Sequence, residues 1–94
     1  DSLPDLLGAP ARLLHAEAKG MRVVALDAPH FYARAGSPYL APWGADWPDN
    51  AARFAALARA GASLAQSEGF DAVHAHDWQA GLVPAYLRYE APRI

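Results

Sequence analysis

Four consecutive residues could do chemistry together: His76, Asp77, Trp78 and Gln79. A carboxylate accepts hydrogen bonds or stabilises a nearby positive charge, and imidazole and amide groups both donate and accept. The indole adds an apolar face on which the C–H groups of a pyranose ring can lie. These groups predict a site for a polar ligand, and a sugar suits them well. The simpler interpretation is that Asp77 only caps a helix.

A metal site is a second interpretation of the same stretch. His74 and His76 alternate, so on a strand both would point from one face, as two zinc ligands do. The sequence offers only two other histidines, His15 and His30, no cysteine and no obvious carboxylate cluster. We therefore expect no metal in this chain. A metal-dependent hydrolase that uses His74 and His76 remains an alternative.

The residues around Asp77 predict the elements that position it. Residues 72–75 form a short apolar run and predict a strand, while Asp77 suits a helix N-cap. The apolar residues from Trp78 to Tyr89 have helical spacing, which predicts a helix. Asp77 would then lie at the carboxyl end of a strand, where parallel α/β sheets place their ligands.

Upstream, two segments predict a hairpin. Met21 to Asp27 is rich in valine and leucine and predicts a buried strand. Arg12 to Lys19 fits a helix or a strand, but only Gly20 separates it from the next segment. Since Lys19-Gly20 suits a hairpin turn, we favour two paired strands with His15 facing outward.

Residues 28–48 predict an ordered, functional loop. This stretch of 21 residues contains four prolines, two glycines and five aromatic residues. Loops of this length are usually functional or disordered, and disordered segments are poor in aromatics. The loop follows a predicted strand, as Asp77 does, so both could converge on one ligand.

The segment Asp49 to Glu68 predicts a helix, capped by Asp49 or Asn50 and ended by Gly69. Arg53 and Arg59 are expected on its other faces, away from an apolar stripe. The stripe consists of Phe54, Leu57, Ala58, Ala62, Leu64 and Ala65.

The composition limits the class of protein. Ninety-four residues make at most one small domain. The net charge of −2 shows no excess of basic side chains that would attract phosphates, so nucleic acid is not expected as a partner. No segment suggests a membrane span or a signal peptide, which predicts a cytoplasmic protein without a membrane partner. The element order predicts an α/β fold, part of a Rossmann-like parallel sheet that is incomplete in this chain. The chain opens at Asp1 and a new strand is expected at residues 91–94, so we expect a piece of a larger protein.

Three blocks resemble a known family. LDAPHFYARAGSPY, WPDNAARFAAL and DAVHAHDWQAGLVPAYL, between Leu26 and Leu87, are similar in order and spacing to blocks of bacterial glycogen synthase, a relative of starch synthase. The resemblance implies a retaining glycosyltransferase of the GT-B type, with two Rossmann-like domains around a cleft. Its reaction would transfer glucose from ADP-glucose to the non-reducing end of an α-1,4-glucan such as glycogen.

The resemblance also implies roles for parts of this chain. Residues 1–94 would be part of the N-terminal, acceptor-side domain. ADP-glucose would be a substrate, no cofactor is expected, and no oligomeric state is predicted. The family's phosphate-binding Lys-Thr-Gly-Gly loop, a later histidine and the C-terminal domain are missing from the sequence. We therefore expect the isolated chain to be inactive, and a non-catalytic carbohydrate-binding fragment is a further alternative.

Individual residues follow from the same blocks. Asp77 matches a catalytic aspartate of the glucose site, and Tyr39 matches a tyrosine implicated in sugar-nucleotide binding. The neighbouring cleft positions are expected to bind substrate, while Asp49 and Asn50 would shape the site. The cleft positions are His76, Trp78 and Gln79. Two positions depart from the family pattern: Ser37 where asparagine is common, and Gln79 where histidine is common.

Overall fold

The computed structural model describes residues 2–90 and divides into two units, Asp1–Asn50 and Ala51–Ile94. The predicted α/β class is confirmed. Strands and helices follow in the order β1 Ser2–Leu3, β2 Ala11–Ala18, β3 Met21–Asp27, α1 Pro29–Tyr32, α2 Asn50–Glu68, a 3₁₀ turn Trp78–Ala80 and α3 Val83–Tyr89.

The first unit contains a three-stranded antiparallel sheet in the order β1-β2-β3. The predicted hairpin is confirmed: Ala18 pairs with Met21 across a two-residue turn. Lys19 and Gly20 both have positive φ, 51° and 77°, as a type I′ turn requires. This turn matches the right-handed twist of the strands it joins. His15 is exposed, as expected.

Two predictions about the sheet are not met. The parallel, Rossmann-like character is not confirmed, because the strands among residues 2–90 pair antiparallel. The prediction that β3 is buried is wrong for this unit: Met21 is 65% exposed and Val23 41% exposed. Within the described residues β3 pairs only with β2, so its side chains receive little cover.

Residues 28–48 form the predicted loop, apart from the single helical turn of α1. His30 anchors the start of the loop, since its Nε2 lies 2.8 Å from the carbonyl oxygen of Leu6. Further along, Leu40 and Asp46 form an isolated antiparallel bridge. The Ala41 N–H donates to the Ala45 carbonyl at 2.8 Å inside that bridge. Backbone hydrogen bonds therefore give much of this segment a defined path.

Helix α2 confirms the predicted helix. It ends at Glu68, directly before the predicted Gly69. Gly69 has φ of 69°, in the left-handed region. Its N–H donates to Gln66 at 3.2 Å, and the Phe70 N–H donates to Ala65 at 3.1 Å. These two bonds are those of a Schellman motif, which satisfies carbonyls that the helix leaves unpaired.

The buried face of α2 differs in part from the predicted stripe. Ala58 and Ala62 are buried against Val83 of α3, as the stripe predicted. Leu57 is 42% exposed, however, and Arg53 is only 5% exposed. Alanines form most of the buried set. The buried positions are Arg53, Ala56, Ala58, Ala60, Ala62 and Ala65.

The predicted strand at residues 72–75 is absent from the described structure, where these residues have no regular secondary structure. A strand persists only when a neighbouring strand pairs its backbone groups, and no described residue does so here. The strand expected at 91–94 lies outside the described residues. Among residues 2–90, none of the helices has both the length and the apolar character of a membrane span.

Candidate active site

The candidate catalytic residue lies in a strained backbone conformation. Asp77 has φ of 63° and ψ of −176°, a region that glycine adopts and other residues rarely do. Holding a non-glycine residue there costs on the order of 1–3 kcal/mol. Such conformations concentrate at functional sites, so this backbone geometry supports the role expected of Asp77.

Asp77 also performs the predicted capping, although on a different element. Its Oδ1 accepts a hydrogen bond from the Trp78 N–H at 2.8 Å, at the start of the 3₁₀ turn. The predicted continuous helix is instead this turn followed by α3, which begins only at Val83. Gly81 lies between them, its N–H bonded to the Trp78 carbonyl at 3.0 Å. Because the helix is interrupted after Ala80, the turn that Asp77 caps is separate from α3.

The aromatic residue beside Asp77 is held from helix α2. The Trp78 ring meets the Phe54 ring edge-on, with centroids 5.0 Å apart and planes at 72°. Trp78 nevertheless remains 63% exposed, so much of the indole can reach a ligand. Edge-to-face aromatic pairs contribute about 0.5–1.5 kcal/mol beyond the area they bury. Phe54 was predicted only as part of the apolar stripe, so this contact is new.

The two histidines do not complete a metal site. His74 and His76 are both exposed, with ring centroids 6.3 Å apart. Across residues 2–90, no group of three or more histidine, cysteine or acidic side chains is arranged to hold a metal ion. The structure therefore gives no support to the metal-dependent hydrolase.

Tyr39 lies in the first unit, on a tight turn of the loop. The Ser37 hydroxyl accepts from the Tyr39 N–H at 3.2 Å and from the Leu40 N–H at 2.9 Å. Asparagine side chains make the same kind of turn and a serine hydroxyl does so more weakly, so Ser37 keeps this pattern of hydrogen bonds. Tyr39 itself is 45% exposed. The predicted convergence of Tyr39 with Asp77 stays a prediction.

Glycine is required at one position of this turn. Gly36 has φ of 107°, and a Cβ at this position would lie 2.6 Å from the Leu40 carbonyl oxygen. That distance is too short for any side-chain carbon. Sequence reasoning passed over Gly36 because a glycine two residues before a proline looks like an ordinary loop residue.

Asp49 and Asn50, predicted as caps and shaping residues, make contacts within the loop. Both Asp49 carboxylate oxygens accept from the Arg34 guanidinium at 2.7 Å. This hydrogen bond, together with the attraction between the charges, raises the pKa of Arg34. The Asn50 side-chain amide donates to the Tyr39 carbonyl at 3.1 Å. Arg34 was not predicted, because a pair 15 residues apart leaves no periodic signal.

A cleft of about 170 Å³ lies in the second unit beside α2 and α3. An ion pair crosses it, with Arg59 Nε 3.2 Å from Glu90 Oε2. None of the predicted site residues lines this cleft. The lining residues are Arg59, Ala62, Ser63, Gln66, Tyr86 and Glu90.

Comparison with known proteins gives a consistent result. Residues 4–93 match the family model of the starch synthase catalytic domain. Over 92 residues the chain is 60% identical to a glycogen synthase of Acidiphilium cryptum and 56% identical to one of Rhodopseudomonas palustris. Each alignment covers 94% of this chain and 19% of the relative. A glycogen synthase of Methylocella silvestris is 56% identical over 89 residues, which are 90% of this chain and 18% of that relative.

The chain thus spans about a fifth of the length of the curated relatives it matches. The family match nevertheless runs over almost all of the chain, from residue 4 to residue 93. We conclude that this chain belongs to the starch synthase catalytic domain family.

Proposed function

We propose that the chain is part of the N-terminal, acceptor-side domain of a GT-B glycosyltransferase. The reaction is retaining transfer of glucose from ADP-glucose to the non-reducing end of an α-1,4-glucan, in the cytoplasm. The observation that carries the proposal is the family match over residues 4–93, together with relatives named glycogen synthase. The chain supplies one side of the site, and it is inactive alone.

In this reaction the bond between the glucose anomeric carbon and the β-phosphate oxygen breaks, and ADP leaves. A bond forms between that carbon and the acceptor 4-oxygen, whose proton passes to the phosphate oxygen that departs with ADP. Positive charge develops on the sugar during this exchange, and a fixed negative charge nearby stabilises it. Asp77 supplies this charge without acting as a nucleophile. Its strained, capped conformation supports the role, because it holds the carboxylate in a defined place.

The other substrate-binding roles are assigned by chemistry. Trp78 offers an exposed indole face to a pyranose ring, and Gln79 and His76 offer hydrogen-bonding groups to sugar hydroxyls. Tyr39 contacts the sugar nucleotide. The proposal includes no metal or organic cofactor, and the nucleotide enters as part of the donor substrate.

The experiment is a transfer assay with the full-length enzyme, ADP-glucose and glycogen, run in parallel with UDP-glucose and with a metal chelator. We expect glucose to enter glycogen from ADP-glucose, with no loss of activity on chelation. The 94-residue chain assayed alone should transfer nothing. Glycogen binding without transfer from either nucleotide would contradict the proposal and favour a carbohydrate-binding fragment. Activity abolished by the chelator would contradict the proposal and favour a metal-dependent enzyme.

A further inference from the structure

Arg34 joins the two ends of segment 34–49, the part of the loop that carries Tyr39. Its Nη1 and Nη2 donate to the two Asp49 carboxylate oxygens, each at 2.7 Å. Nη2 also donates to the His30 carbonyl at 3.0 Å. Only arginine offers this planar fork, in which two parallel hydrogen bonds fix the orientation of a carboxylate. Residues 34 and 49 are thereby held together, and the segment between them is closed.

This ion pair is partly protected from solvent. The Arg34 side chain is 24% exposed and that of Asp49 is 37% exposed. Pairs between fully exposed side chains contribute little, whereas a bidentate pair with ordered partners holds its geometry better. Arginine is charged at every pH used for enzyme assays, and the hydrogen bond to Asp49 raises the pKa of Arg34 further.

The same guanidinium contacts one aromatic residue of the loop, Trp47. Its central carbon lies 4.9 Å from the centroid of the Trp47 ring. Trp47 in turn meets Trp43 edge-on, with ring centroids 5.5 Å apart. An arginine over an indole face is an attractive cation–π arrangement. Removing Arg34 would therefore loosen the tryptophan pair as well as the loop ends.

A second contact transmits this closure to Tyr39. The Asn50 amide donates to the Tyr39 carbonyl at 3.1 Å, and Asn50 directly follows Asp49. Asp49, which accepts the hydrogen bonds of Arg34, is thus the sequence neighbour of Asn50, which donates to the Tyr39 carbonyl. A shift of Asp49 would move this hydrogen bond.

We propose that Arg34 is a positioning residue, which closes segment 34–49 and so sets the place of Tyr39 for the sugar nucleotide. This inference rests on the proposed function for the role of Tyr39. It adds a residue to which neither the family blocks nor the relatives' names give a role. Arg34 acts through Asp49, Asn50 and the loop backbone rather than by touching the substrate.

The test uses the full-length enzyme with Arg34→Ala, Arg34→Lys, Tyr39→Ala and the double variant. Arg12→Ala is the control, since Arg12 forms a 2.7 Å pair with Asp27 in the same unit but outside segment 34–49. We expect Arg34→Ala to raise KM for ADP-glucose at least about fivefold with a smaller change in kcat, as loss of uniform binding does. Arg34→Lys should be little better, because the charge without the fork does not orient Asp49.

The double-mutant cycle separates positioning from a general loss of stability. If Arg34 acts through Tyr39, Arg34→Ala should change KM little once Tyr39 is alanine. Equal effects of Arg34→Ala in both backgrounds, or an Arg12→Ala variant as impaired as Arg34→Ala, would overturn the inference.

A structural readout keeps the two proposals distinguishable. Chymotrypsin should cut the folded Arg34→Ala enzyme within segment 34–49 faster than the wild type or Arg12→Ala. A wild type that transfers no glucose would overturn the proposed function, and the cleavage rates would then decide whether Arg34 closes the loop. Equal rates for all three proteins would overturn the closure itself.

Discussion

Replacing Asp77 with glycine should stabilise the enzyme while destroying its activity. Glycine adopts φ of 63° with ψ of −176° freely, so the substitution relieves strain of roughly 1–3 kcal/mol. Two smaller effects oppose this gain. Losing the cap to the Trp78 N–H costs a few tenths of a kcal/mol when glycine is the replacement. The greater freedom of glycine in the unfolded chain costs about 0.4–1 kcal/mol.

Alanine at the same position should behave in the opposite way. It retains the strain of the positive φ and loses the cap, which costs about 1 kcal/mol. The expected order of stability is therefore Asp77→Gly, then wild type, then Asp77→Ala. We expect about 1–3 kcal/mol between the two variants from these contributions.

The assay is the apparent Tm of the full-length enzyme at one scan rate, measured beside the transfer rate. A difference of this size corresponds to several degrees, at roughly 2–4 °C per kcal/mol for a domain of 150–250 residues. Asp71 gives the control, because it is exposed and its φ is not in the left-handed region. Asp71→Gly should be no more stable than Asp71→Ala. If Asp77→Gly melts below Asp77→Ala, the backbone of Asp77 is not strained and the reasoning is wrong.

Three further substitutions test the loop, the helix and the hairpin by apparent Tm. Gly36→Ala should destabilise by about 2–4 kcal/mol, because its Cβ would meet the Leu40 carbonyl at 2.6 Å and φ is 107°; an unchanged Tm would contradict the turn geometry. Gly61→Ala should stabilise by about 0.5–1 kcal/mol, because alanine favours a helix over glycine and the new Cβ would meet only Val83 Cγ2, at 3.8 Å. A lower Tm would mean that Val83 of α3 lies closer to Gly61 than this distance. Lys19→Asn should stabilise by up to about 1 kcal/mol, because asparagine before glycine favours a type I′ turn; a loss of stability would contradict that turn type.

Local signals in the sequence predicted local structure well. The β2–β3 hairpin followed from Lys19-Gly20 and the valine-rich segment, because turn chemistry acts between neighbouring residues. The end of α2 followed from Gly69 for the same reason. The capping role of Asp77 was also visible, since it depends only on the next N–H group.

Features that depend on distant partners were missed. Residues 72–75 have the composition of a strand, but a strand forms only where another backbone pairs with it. The burial of Arg53 and exposure of Leu57 depend on what surrounds α2, which helical periodicity does not specify. Arg34 and Phe54 could not be assigned to the site, because their partners lie 15 and 24 residues away in sequence.

The most direct measurement of the central claim is the turnover of Asp77→Asn in the full-length enzyme. Asparagine caps a helix as well as aspartate and has nearly the same shape, so it keeps the same backbone strain and the fold should be unchanged by circular dichroism. Only the negative charge is lost. We predict that kcat for glucose transfer from ADP-glucose falls at least about a hundredfold, or roughly 2.7 kcal/mol of transition-state stabilisation. A folded Asp77→Asn enzyme with nearly normal kcat would show that Asp77 is a cap and not a catalytic residue.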